Sequence, residues 1–113
     1  MEGEGRLYGC PVELTLDLLG GKWKTVILSR LKQAPLRYGE LRRVIPGLAD
    51  KMLTQRLHDL EQAGFVDRVE QADGERRYQL TEHGQSLAPV LEALYAWGTR
   101  IAPTVSARFA QST

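Results

Sequence analysis

The chain has 113 residues, 42% of them hydrophobic and 26% charged, with a formal net charge of +1 and one cysteine. This length supports one domain, 1–113, with a modest single core. A lone cysteine excludes an intrachain disulfide, which points to a reducing cytoplasm. No apolar run approaches the roughly 18 residues that a membrane-spanning helix needs, so no membrane role is expected.

Residues 1–6 lack the basic start and apolar stretch of a signal peptide. Pattern begins near residue 9 and fades after about 102. Cys10-Pro11 precedes Leu14 and Leu18, four apart, which predicts a short helix opened by the proline and closed by Gly20-Gly21. A second helix is predicted from about Lys22 to Gln33, with Trp23, Val26, Ile27, Arg30 and Leu31 as its inner stripe and Pro35 beyond its end. Leu36-Arg37 reads as a brief extended piece. Tyr38, Leu41 and Ile45 mark a third helix with Glu40, Arg42 and Arg43 outward, and Pro46-Gly47 breaks the chain.

A fourth helix is expected from about Asp50 to Ala63, with Leu53, Leu57 and Leu60 inward and Gly64 as its stop. Residues 65–70 read as a strand and 77–80 as its return, joined at the Asp73-Gly74 turn signal. Thr81 suits the N-cap of a last helix that carries Leu87, Val90, Leu91, Leu94, Trp97 and Ile101, with Pro89 expected to kink it. Leu87, Leu91, Leu94 and Ile101 have near-heptad spacing, which predicts a helix–helix seam between two copies of the chain.

The near-zero net charge hides an asymmetry. Residues 22–56 carry nine bases against only Glu40 and Asp50, whereas acids outnumber bases on both sides. A basic segment in a balanced chain points to a polyanion-binding face. Two helices joined by a tight break and followed by a hairpin have the layout of a winged helix-turn-helix, whose second helix enters the DNA major groove while the hairpin reaches the backbone or minor groove. At about 100° per residue, Gln55, Lys51 and His58 point away from the Leu53–Leu57–Leu60 face, with Thr54 on its shoulder. Lysine can donate to guanine, and glutamine can pair with adenine through two hydrogen bonds. The candidate DNA contacts are therefore Lys51, Thr54, Gln55 and His58, supported by Arg42, Arg43, Lys22, Arg37, Arg76 and Arg77. Alternation of side chains along a strand sends Arg76 and Arg77 to opposite faces, without saying which one meets DNA.

Other chemistries are poorly supplied. The chain has two histidines and no Cys-x-x-Cys or His-x-x-x-His spacing, so no metal or cofactor is expected. Gly20-Gly21-Lys22 is followed by Trp23 and preceded by a helix, unlike a phosphate loop. A thiol enzyme would need a histidine and an orienting carboxylate near Cys10, and neither His58 nor His83 is an evident partner, so no enzyme is expected. Two alternatives remain open: a winged helix used for protein–protein assembly, and a small-molecule sensor whose pocket is lined by Tyr8, Trp23, Tyr95 and Trp97.

Several stretches carry a family resemblance. Cys10-Pro11-Val12-Glu13, Leu18-Leu19-Gly20-Gly21-Lys22-Trp23-Lys24, Leu36-Arg37-Tyr38-Gly39-Glu40-Leu41-Arg42-Arg43, Lys51-Met52-Leu53-Thr54-Gln55-Arg56-Leu57 and Leu80-Thr81-Glu82-His83-Gly84 resemble HxlR-type transcriptional regulators. The resemblance spans about residues 9–98. It implies a mainly α fold with a small β-hairpin: a winged helix-turn-helix DNA-binding domain, related to the MarR group, with N- and C-terminal dimerisation helices. It also implies a bacterial homodimer that binds a pseudo-palindromic operator in double-stranded DNA, with a small molecule or oxidant as effector. Some members sense oxidants through a cysteine at the position of Cys10. The bland reading of Cys10 is a small structural residue beside Pro11. Two features depart from the family: Ala49 stands where Ser is common and cannot cap the fourth helix, and residues 71–77 lack the family's Pro-Pro wing tip.

Overall fold

The structure, a computed structural model, describes residues 5–110. The expectations for residues 1–4 and 111–113, including most of the leader reading, lie outside the described residues. Six helices and two strands follow in order: α1 (Pro11–Leu19), α2 (Gly21–Gln33), α3 (Tyr38–Val44), α4 (Asp50–Gln62), β1 (Val66–Glu70), β2 (Arg76–Leu80), α5 (Glu82–Gln85) and α6 (Ala88–Ile101). The architecture is mainly helical with a two-stranded antiparallel hairpin, a winged helix-turn-helix.

Helix α2 is the centre of the molecule. It packs against α1, α3, α4, α6 and β2. Ile27, Leu28 and Leu31 are buried on it, whereas Trp23, Val26 and Arg30 are only half-buried. Leu28 was not part of the expected stripe. A helix flanked on several sides buries a wider face than the one-sided i, i+3, i+4 pattern assumes. Leu41, Ile45 and Leu48 from the α3 segment and the link after it, Leu53, Leu57 and Leu60 from α4, Phe65, Val66, Tyr78 and Leu80 from the hairpin, and Leu19 and Leu91 from α1 and α6 complete the core. Its aliphatic side chains are nearly all fully enclosed, so truncating one of them to alanine costs about 2–5 kcal/mol.

The joints explain why these helices meet at fixed angles. Gly20 and Gly21 both have positive φ (39° and 74°), which lets α1 turn directly into α2. Helix α4 ends on Gly64, where the Gly64 N–H donates to the Glu61 carbonyl (3.1 Å) and the Phe65 N–H to the Leu60 carbonyl (3.0 Å). This double bond pattern is the Schellman arrangement, and it needs the left-handed φ of 83° that glycine adopts without strain. The Thr81 hydroxyl accepts from the Gly84 N–H (3.0 Å) and donates to the Gly64 carbonyl (2.7 Å). A Cβ on Gly84 would lie 2.2 Å from the Phe65 carbonyl oxygen, so only glycine fits where α5 crosses the start of the hairpin.

The strands pair in the register Val66↔Leu80 to Glu70↔Arg76, and Leu36 adds a single bridge to Tyr78. The turn falls at the expected Asp73-Gly74 signal and includes Ala72 as well. Gln71 N–H donates to the Glu75 carbonyl (2.8 Å), closing a loop around Ala72, Asp73 and Gly74, whose φ is 85°. This is the three-residue hairpin solution, with glycine in the left-handed position.

Two further expectations are corrected at the C-terminal end. The last helix is not one kinked rod. Thr81 caps the short α5, and α6 starts afresh at Ala88 with Pro89 in its first turn. Proline costs nothing there because the first helical N–H groups have no intrahelical partner. The predicted seam of Leu87, Leu91, Leu94 and Ile101 also divides. Leu91 is 2% exposed inside its own core, and Leu87 is half-buried against the same cluster. Leu94 (52% exposed) faces outward, and Ile101 is half-buried. At about 100° per residue Leu94 lies only about 60° from Leu91, and with Val90 and Trp97 it forms a stripe along one flank of the buried residue, a stripe that stays exposed.

Candidate nucleic-acid interface

Helices α3 and α4 are joined by Pro46-Gly47, with Gly47 at φ 84°. Leu53, Leu57 and Leu60 anchor α4 in the core, and the helical period turns Lys51, Thr54, Gln55 and His58 to the surface. All four side chains expected to face DNA thus lie on the exposed side of one helix. The Gln55 amide N–H₂ donates to Asp59 (3.0 Å), which also pairs with Arg56 at 3.2 Å. Ala49 is the residue before α4 and makes no side-chain cap. Asp50 instead supplies a carboxylate in the first turn, favourable at the positive end of the helix dipole.

The basic residues expected nearby are placed unequally. Arg43 and Lys22 are exposed, the latter with its ammonium 4.4 Å from the Trp23 ring centre. Arg42 forms an ion pair with Asp50. Arg37 lies between Glu40 (3.3 Å) and Glu75 (3.6 Å), and so links the start of α3 to the wing tip. Arg76 is exposed and donates to the Arg68 carbonyl (3.2 Å). Arg77 is more enclosed and meets the Asp73 carboxylate at 2.9 Å and 3.0 Å.

The acidic partners in this network were not singled out from sequence. Glu40, expected to face outward, is half-buried and accepts from the Arg37 backbone N–H (2.8 Å) as well as from its guanidinium. Position three of a helix is where a capping-box carboxylate belongs, so that spacing was the available signal. The Arg37 N–H and guanidinium hold the Glu40 carboxyl below its ordinary range. Arg77, with the Glu75 backbone N–H, draws Asp73 down from 3.8 to about 2. In return, Glu40 raises Arg37 and Asp73 raises Arg77.

Away from this face, Cys10 is exposed at the N-cap of α1. Beside it, Glu13 accepts from the Gly9 backbone N–H. The four aromatic residues considered as one pocket lining do not line one pocket. Tyr8 donates to Asp17 (2.6 Å), and Trp23 packs against the core. Tyr95 lines a cavity with Val26, Ser29 and Phe109, whereas Trp97 lines an apolar groove with Val90 and Leu94. The candidate histidines are equally scattered: His58 is on α4, and His83 on α5 stacks on Phe65 with ring centres 5.4 Å apart. No group of three or more metal-binding side chains forms among the described residues.

Residues 18–106 match the sequence profile of the HxlR-like helix-turn-helix family. The HTH-type transcriptional regulator YtcD of Bacillus subtilis is 43% identical over 97 residues, covering 84% of this chain and 77% of that protein. The redox regulator HypR in its oxidized form superposes with a TM-score of 0.71 at 37% identity, covering 89% of this chain and all of that one. The quinone-bound YodB of Bacillus subtilis gives a TM-score of 0.66 at 37% identity, over 80% of this chain and 99% of that one.

The wing pair between Asp73 and Arg77 has a defined pH window. Because the folded carboxyl titrates lower than its ordinary 3.8, the pair's contribution is complete above that value and disappears as pH falls through about 2. Carboxyl NMR should therefore show Asp73 titrating near the lower value, and Arg77→Ala should return it towards the upper one. An Asp73 midpoint that Arg77→Ala leaves in place would mean that the pair does not form.

Proposed function

The chain belongs to the HxlR-like helix-turn-helix family and is a transcriptional regulator of the helix-turn-helix type, and from that premise we propose that it acts as a homodimer on a pseudo-palindromic operator in double-stranded DNA. The observation that carries this reading is the exposed polar face of α4 (Lys51, Thr54, Gln55 and His58) on a helix anchored by three buried leucines. Such a helix can enter the major groove, where Gln55 exchanges its Asp59 contact for a base edge. Arg43, Lys22 and Arg76 are exposed for phosphate contact, and Arg42, Arg37 and Arg77 reach phosphates only by leaving or sharing a carboxylate. The work requires no catalysis and no cofactor, and it places the protein on the chromosome in the cytoplasm. No helix among the described residues is long and apolar enough to cross a membrane.

Two mutations separate readout from electrostatic anchoring. Gln55→Ala should reduce discrimination among operator sequences by about 1–3 kcal/mol while leaving the salt dependence nearly unchanged. Arg43→Ala should weaken binding to every sequence and reduce the salt slope by about one. Fluorescence anisotropy across a salt series reads both, and wild-type selectivity in Gln55→Ala would displace the recognition face from this part of α4.

The dimer rests on apolar surface that the chain leaves uncovered. Val12, Leu14, Leu16 and Leu18 of α1 and Val90, Leu94 and Trp97 of α6 are all exposed. A cluster of large apolar side chains on terminal helices is a surface for a second subunit. Leu94, from the expected seam, stays in this interface, with Ile101 at its edge. Leu94→Asp with Trp97→Asp places charge in the contact and should give a folded monomer by sedimentation. A dimer of unchanged stability would rule out this face.

A second reading adds redox response through Cys10, because that thiol is exposed at the start of the same uncovered helix and two of the similar structures are regulators named for redox state or quinone. With no second cysteine in the chain, oxidation of Cys10 gives a sulfenic acid, a mixed disulfide with a small thiol or a disulfide to the partner's cysteine, and diamide drives the two disulfide routes. Diamide takes up the two electrons and two protons released. Operator binding that responds to diamide in wild type but not in Cys10→Ser supports the sensor. Equal responses assign Cys10 a structural role and leave a small-molecule effector as the alternative.

A further inference from the structure

The hydroxyl of Tyr38 crosses from α3 to α4, where three oxygens surround it. The Asp50 backbone carbonyl lies at 3.1 Å, the Asp50 carboxylate at 3.3 Å and the Thr54 hydroxyl at 3.0 Å. The phenol has one proton to give. Both Asp50 oxygens can only accept, whereas Thr54 can accept or donate. If the phenol gave its proton to Thr54, its lone pairs would face two acceptors at close range. The arrangement is satisfied only when Tyr38 donates to Asp50 and the Thr54 hydroxyl donates to Tyr38.

Asp50 is held in place for this. Its carboxylate also pairs with Arg42, one turn after Tyr38 on α3. The carbonyl that the Tyr38 hydroxyl approaches is the one four residues before Thr54. A threonine within a helix ordinarily bonds to that carbonyl itself. Here the Thr54 hydroxyl has the phenol as its partner instead. Thr54 remains exposed on the outer face of α4.

We propose that Tyr38 is a positioning residue for base readout: its hydroxyl consumes the Thr54 proton, so Thr54 faces the groove as a hydrogen-bond acceptor only. This rests on the reading of α4 as the recognition helix. An acceptor at this point favours a base edge that carries an exocyclic amine, adenine N6 or cytosine N4. It disfavours the keto oxygens of guanine and thymine, which are acceptors themselves. The selectivity is thus for amino over keto bases at one position per half-site. A lone threonine hydroxyl, able to rotate, would not impose it.

The test uses the full chain bound to a pool of duplexes with randomised half-sites, with base preference at each position counted by sequencing. Wild type should show one position per half-site where amino bases are preferred. Tyr38→Phe keeps the packed ring and removes only the hydroxyl. It should reduce that preference about threefold to tenfold, the worth of one hydrogen bond, and leave the other positions unchanged. Thr54→Val keeps the shape of the side chain and should lose the preference at the same position. Adding Tyr38→Phe to Thr54→Val should then change nothing further. Full amino preference in Tyr38→Phe, or a uniform loss of binding across all sequences, overturns the proposal. So does a retained preference in Thr54→Val, which decides the matter even if the Tyr38 variant does not fold. A wild-type protein with no sequence preference at any position would remove the DNA-recognition reading itself; wild-type preferences left intact by both variants would remove only this inference.

Discussion

Burial of α2 on several sides at once is the constraint on which the rest of the structure depends. Ile27, Leu28 and Leu31 leave no solvent-facing alternative for that helix, so α3, α4, the hairpin and α6 must each present an apolar stripe to it. Once Leu53, Leu57 and Leu60 are committed to this centre, the rotation of α4 about its own axis is decided. Its polar residues face outward as a consequence of where its leucines go. Dense packing makes that orientation hard to change, because a small rotation would open a cavity or force an overlap.

The surface around α3, the start of α4 and the wing is organised by charge. Arg37 joins α3 to the wing through Glu75, Asp73 closes the wing tip onto Arg77, and Arg42 holds Asp50 at the start of α4. These pairs are exposed, and each adds little to stability by itself. Their effect is geometric: they hold a basic segment in a set arrangement while carboxylates neutralise part of its charge. In the proposed DNA complex a phosphate backbone would compete for the same guanidinium groups and redistribute these pairs.

The terminal helices follow a different logic. Only Leu19 of α1 and Leu91 of α6 are buried; Ile101 is half-buried, and the other large apolar side chains on both helices are exposed. A small domain has too little interior to cover them. Cys10 stands at the start of one of these uncovered helices, so chemistry at its sulfur would act beside the surface proposed for a second subunit.

The sequence by itself determined most of the elements and the outward face of α4, but not the break between α5 and α6. The spacing of Leu53, Leu57 and Leu60 placed Lys51, Thr54, Gln55 and His58 outward, because a helix has one period and a buried stripe leaves one opposite face. Proline at 11, glycine at 64 and threonine at 81 marked boundaries for the same local reason. Tertiary structure alone decided what depends on residues distant along the chain. Whether Leu91 or Leu94 turns inward depends on where α2 lies. Which carboxylate Arg37 or Arg77 meets depends on the fold of the wing. The link from Tyr38 to Thr54 spans sixteen residues and two helices. Hydrophobic period is a local property of the chain, whereas a hydrogen-bond or ionic partner is selected by proximity in space, and proximity exists only once the core has closed.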